Sequence, residues 1–280
     1  MSERPTASLS YCAGLVRDQA PARYVATLFA PASVRPALFG LYAFDHEIAK
    51  VRHLVSEPMA GLIRFQWWRD ALDAIAAGRP APAHPVAQSL QVAWRRFENA
   101  RIRLDAAIDA REQELNRTAP DSLSALEQHL AATSSGPVLT ALDLLGVHEP
   151  AAREAGHRVG LAIGFTDLLC EIDIDRERVL FLPGDLLGRH GVAPTAVREA
   201  TSPTAFAPAI RELAGHAREH LRQARRARRR VPNLALPALL PGVLVSHRLR
   251  SLRSLGAAGP TRHPALAPLW LLGYRALGIF

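Results

Sequence analysis

The stretch TDLLCEIDID, Thr166 to Asp175, sets Asp167, Glu171 and Asp175 four residues apart, with Asp173 between the last two. On an α-helix a step of four advances a little over one turn, so the three carboxylates share a stripe. Like charges at that spacing repel unless something positive sits among them. A divalent cation with oxygen ligands would meet that need; a solvated helix end with surplus acids would need none. An apolar run, GLAIGF, precedes the stretch and a charged one, RER, follows it. Spacing alone leaves both readings open.

Other chemistry-bearing signals are few. There is no HExxH, no CxxC pair, no Gly-rich phosphate loop and no GxSxG. Zinc, nucleoside-triphosphate and nucleophilic-hydrolase readings therefore have no support. His84 and His157 stand alone, which reads as hydrogen-bonded structural histidine rather than ligand. Cys12 and Cys170 are the two cysteines and read as reduced, buried thiols of a cytosol-like compartment. In IRFQWWRDAL, Trp67 and Trp68 occupy neighbouring helix faces. One belongs to the core, and the other shields a cleft wall or an interface.

The elements that must position these residues are helices. Apolar residues recur at three and four, strand signals are scarce, and Ala, Leu and Arg dominate. The pattern predicts helices over Ala22–Leu28, Pro36–Leu54, Met59–Ala77, Pro85–Asn99, Leu104–Leu115, Ser122–Leu145, Pro150–Glu171 and Pro203–Arg230. A final pair covers Pro237–Leu255 and Pro264–Leu277. AGRPAPAHP is a loop by composition. With 280 residues, 49% of them hydrophobic, and only short loops, the chain reads as one compact all-α domain over 20–280 behind an extension of residues 1–19. No stretch is apolar for long enough to span a bilayer, and the start does not read as a secretory signal.

In order along the chain, YVATLFAP, LYAFDHEIAKVR, LIRFQWWRDAL and GLAIGFTDLLCEIDID followed by VLFLP resemble the squalene/phytoene synthase family. The likeness runs from about residue 20 to 255. It implies the isoprenoid synthase fold, a helical bundle around a central cavity. Members join two prenyl diphosphates head to head, using Mg²⁺ held between two aspartate-rich helices on opposite cavity walls. The resemblance implies metal and catalytic roles for Asp167, Glu171 and Asp175, and substrate contacts for Tyr42, Arg64, Trp67 and Arg178. The first aspartate motif, however, falls on Ala49, Lys50 and His53. Asp45 lies one turn earlier, on the face of Ala49 but roughly 6 Å lower, and is the one acid able to take over that wall; Glu47 is turned about 160° away. The family's glutamine two turns before the second motif falls on Gly164, and its arginine just before that motif falls on Cys170.

The phrases HEIAKVR, VSEPM, QWWR, HPVA and TSSGP resemble more closely a subgroup that includes a mitochondrial complex I assembly factor and its bacterial relatives. That resemblance implies a degenerate, non-catalytic member acting in respiratory-complex assembly or binding a prenyl or other lipid ligand. The alternative is an active Mg²⁺-dependent prenyltransferase. The expected location is the cytoplasm, or the inner face of a membrane (the mitochondrial matrix side in a eukaryote).

The net charge of +8 and the pI of 10.6 come largely from one place. RQARRARRR, Arg222 to Arg230, holds six arginines and no acid, and the other basic residues nearly balance the 26 acidic ones. A solvated helix or a surface for anionic lipid fits this run. Without aromatic interleaving or a recognition-helix signature, nucleic acid is not expected as a partner.

Overall fold

The computed structural model describes residues 3–97, 100–116, 118–174, 181–192 and 206–252, and its described residues contain helices and no strand. The first helices are α1 (Glu3–Gln19), α2 (Pro21–Leu28), α3 (Arg35–Ala49), α4 (Val51–Leu54) and α5 (Pro58–Ala76). Then come α6 (Pro85–Val92), α7 (Arg101–Gln113), α8 (Leu123–Leu130), α9 (Gly136–Leu144) and α10 (Pro150–Ile174). The last are α11 (Gly184–Arg189), α12 (Ala207–Arg226), α13 (Leu236–Leu239) and α14 (Val243–Leu252).

Local chemistry sets many of the boundaries. Proline opens α2, α5 and α6, where its missing N–H costs nothing and its fixed φ suits the first turn. His84 caps α6: Val86 N donates to its Nδ1 at 3.3 Å. Ser122 caps α8 by accepting from Ala125 N at 3.2 Å. After α9 the chain turns at Gly146, whose φ of +73° is open to glycine and costly for other residues.

Two helices are buried nearly all round, as central elements of a bundle must be. α3 buries Ala37 through Asp45 without a break, and α10 buries Val159 through Thr166 likewise. The rest wrap them: α1 and α6 cover α3, while α12, α9 and α14 pack on α10. α12 turns Leu213, Ala217, Leu221 and Ala224 inward and leaves Arg211, Arg222 and Arg226 exposed on its outer side. The arginine run ends in a 3₁₀ turn, Arg228–Arg230, with Arg229 and Arg230 exposed.

Three expectations are revised. Residues 1–19 are more than an extension, since α1 places Cys12 and Val16 in the core. The helix expected over Pro36–Leu54 breaks at Lys50, which caps α3. The one expected over Ser122–Leu145 contains a π turn, Ala131–Ser135. This turn lies against α10, where a Cβ on Gly160 would stand 2.3 Å from Ser135 Cα. Ser135 Oγ donates to His157 O at 2.8 Å, which ties the π turn to α10. The helix expected over Pro264–Leu277 lies outside the described residues.

Candidate functional site

A cleft of about 400 Å³ opens between the two central helices. α3 supplies Tyr42, Asp45, His46 and Ala49; α10 faces them with Ile163, Asp167, Cys170 and Glu171. The α1–α2 elbow contributes Gln19 to Arg23, α7 contributes Arg111, and the π turn contributes Thr133 and Ser134. Leu244, Val245 and Arg248 of α14 close the far side. The π turn and Gly164 bring the two backbones together here, since a Cβ at 164 would meet Ser134 Oγ at 2.7 Å.

Each described carboxylate of the cleft is held by a guanidinium. Arg23 Nη1 donates to Asp45 Oδ2 at 2.5 Å, and the same guanidinium stands 5.0 Å over the Tyr42 ring. Arg248 Nη1 donates to Asp167. Arg52 Nη2 lies 3.6 Å from Glu171 Oε2. A small side recess holds Glu114, to which Arg111 Nη1 donates at 2.7 Å, with His129 Nε2 at 3.0 Å and Arg52 Nε at 3.5 Å. Burial opposes the charged form of Arg23, but Asp45 and Tyr42 hold its pKa above the ordinary value. Burial likewise pushes the Tyr42 hydroxyl up to about 12, so it stays a neutral donor. Two buried polar atoms at this cleft, Asp45 Oδ1 and Arg111 Nε, have no protein partner.

The structure gathers Tyr42, Asp45, Asp167 and Glu171 around one cavity. Arg64 and Trp67, for which substrate contact was expected, stand elsewhere. α5 buries Gly61, Phe65, Trp68 and Leu72, and this leaves both residues outside on an exposed face. Trp68 is the core member of the pair at 4% exposure, and Trp67, at 38%, packs edge-on against it and His84. Asp175 and Arg178 lie outside the described residues. Lys50 is not aimed at the cleft; its Nζ donates to Glu47 Oε1 at 2.6 Å. Cys170 is half-buried rather than buried, and it lines the cleft beside Arg248.

Sequence reasoning passed over Arg23, Arg52, Arg111, Glu114 and Arg248. One signal was available. Arg111 continues the buried stripe of Leu104, Ala107 and Ile108, and Arg248 follows Leu244 and Val245 in the same way. A cation at a core position of an amphipathic helix asks for a buried anion.

For a Mg²⁺ cluster the described residues are a poor fit. No three ligating side chains converge among them. A divalent ion would have to pull Arg248 from Asp167 and Arg52 from Glu171, and across the cleft Ala49 offers no oxygen ligand from its side chain. Among the described residues no helix is long and apolar enough to cross a membrane.

Comparison with known proteins fits this architecture. The squalene/phytoene synthase family matches residues 16–270. NADH dehydrogenase (ubiquinone) complex I, assembly factor 6 of Bos taurus is 32% identical over 247 residues, covering 88% of this chain and 74% of its own. Presqualene diphosphate synthase of Rhodopseudomonas palustris is 26% identical, covering 84% of each chain. The crystal structure of a dehydrosqualene synthase in complex with ligand superposes with a TM-score of 0.81 at 17% identity, over 98% of this chain and 96% of its own. With this breadth of match over a two-walled helical cleft, the chain belongs to the squalene/phytoene synthase family.

Proposed function

We propose that this chain is a non-catalytic member of its family that serves respiratory-complex assembly from a membrane surface and keeps its cleft for an isoprenoid or other lipid ligand. The observation that carries this reading is the arginine held against each described carboxylate of the cleft, together with Ala49 at a former acid position on the α3 wall. Ionising an allylic diphosphate needs cations free to follow the departing negative charge. Carboxylates already satisfied by arginine recruit such cations poorly. The name of the relative at 32% identity supports the assembly role. The exposed arginines at the outer side of α12 support contact with anionic lipid, at the inner membrane face or the matrix side.

The test is incubation of the full chain with farnesyl or geranylgeranyl diphosphate and Mg²⁺, following pyrophosphate. The expected result is release no faster than in a protein-free blank. Release at enzymatic rates supports the second reading, a head-to-head prenyltransferase. That reading is favoured by Asp45, which reaches the cleft opposite Asp167 and Glu171, and by the presqualene diphosphate synthase relative. On it, Asp45→Asn, Asp167→Asn, Glu171→Gln and Asp175→Asn would each abolish release.

A further inference from the structure

α5 carries apolar residues on two sides. Phe65, Trp68 and Leu72 face the core, while Met59, Leu62, Ile63 and Trp67 stand outside, Met59 and Ile63 each with 65% of their surface open. Steps of three and four put the outer four on one stripe, rather more than two turns long. Single exposed apolar side chains are ordinary; four in register form a patch. Leu62 also lines a groove of about 450 Å³ between α5 and the end of α7, together with Pro58 and Leu115. Its floor is firm, since a Cβ on Gly61 would meet the Leu115 methyls at 2.6 Å.

The rim of this patch is acidic in a chain of net charge +8. Arg69 is shared by Asp109 and Glu112, at 2.7 and 2.6 Å, and Arg101 by Asp73 and Asp105, at 2.7 and 2.8 Å. Each group keeps one surplus negative charge. Asp70, which continues the outer stripe, accepts from the neutral amide of Gln66 at 2.8 Å. An anionic bilayer is repelled by such a rim, and a Lys- or Arg-bearing surface is drawn to it. α5 packs mainly on α4, α6 and α7, and α12 on α10 and α14, so this face is separate from the arginine-rich one.

We propose that the outer face of α5, with the α5–α7 groove, docks an amphipathic helix of a partner protein, apolar at steps of three and four and flanked by Lys or Arg. One apolar anchor of that helix fills the groove beside Leu62 and Leu115. Its neighbours cover Met59, Ile63 and Trp67, and its basic flank meets Asp70 and Asp109. Docking here is independent of the cleft, and it holds with either reading of the cleft's chemistry.

Two synthetic helical peptides of about 18 residues serve as probes, one of Leu and Lys, the other of Leu and Glu on the same pattern. Their binding to the full chain is followed by fluorescence anisotropy. The Lys peptide should bind at least about tenfold more tightly than the Glu peptide. Ile63→Asp should weaken it about tenfold, and Met59→Asp does the same duty if the first variant melts early. Asp70→Lys with Asp109→Lys, which leaves Glu112 to Arg69, should reverse the preference. Equal binding of the two peptides, or variants that bind as the parent does, would overturn the proposal. A photo-crosslinking benzoylphenylalanine at position 63, in the cell that makes the chain, then reports the natural occupant. Adducts on a basic amphipathic segment of another protein, lost with the paired lysine change, support the proposal. Adducts on a second copy, on residues 253–280 of the same chain or on lipid, or no adduct, overturn it.

Discussion

Asp45 and Arg23 show how much a single pair carries here. Both side chains are largely buried, so removing one partner strands a charge in a poorly solvated wall. Arg23→Gln should cost about 3 kcal/mol in urea unfolding, and adding Asp45→Asn should recover a large part of it. If the single and double variants were equally unstable, the pair would owe its place to packing and not to charge. At this scale the sequence was half legible. Asp167 and Glu171 stood out as acids at helical spacing and Asp45 through the resemblance, and all three line the cleft. Their arginine partners were missed because each lies far away in the chain, 22 positions from Asp45 and 81 from Asp167. Arg64 and Trp67 were assigned to the substrate by resemblance, which carries a role over by position in a motif, and in this fold that position falls on the outer face of α5.

At the scale of elements, α10 and the π turn approach closely enough that only glycine fits at 160. Gly160→Ala would drive a Cβ into the Ser135 backbone, which no side-chain rotation relieves. It should cost about 2–3 kcal/mol. Gly215→Ala, in the interior of α12 with nothing within 4 Å, should instead stabilise the fold by about 1 kcal/mol. Thermal melts of the two variants should move in opposite directions; a shared direction would mean that glycine flexibility and not close approach sets the Gly160 effect. Most helices were readable from periodicity and proline, because these act within a turn or two. The π turn was not, since it answers a neighbour on α10. Nor was α1: its residues are polar overall, and Cys12 and Val16 become buried once α3 and α6 are in place.

For the molecule as a whole, acidity is the common weakness. Burial lowers the pKa of His46, His84, His157 and His220 below the ordinary value near 6.5. The fold therefore favours neutral imidazoles, and the unfolded chain takes up protons first as pH falls. Stability from this source is complete above about pH 6.5 and declines below it. Melting temperature should drop between pH 7 and pH 5, and a flat profile there would contradict the buried-histidine account. The arginine run gives a second whole-molecule expectation. Pelleting with vesicles rich in anionic lipid should weaken as salt rises, and should weaken with Arg222, Arg226, Arg229 and Arg230 changed to Gln. Equal pelleting with neutral vesicles would rule this surface out. The overall fold class was legible because a helix-period pattern extends through nearly every segment, and length and hydrophobic content left room for one core.

The α1–α2 elbow belongs at once to the N-terminal helix and to the rim of the cleft, through Gln19, Ala20 and Pro21. Occupancy of the cleft and docking of α1 are then thermodynamically linked: a ligand that needs the rim in place draws the helix down with it. At a concentration a hundredfold above its Kd, such a ligand would slow amide hydrogen exchange along α1 by about a hundredfold. The first helix thus becomes a gauge of whether anything is bound, readable at backbone amides that never touch the ligand.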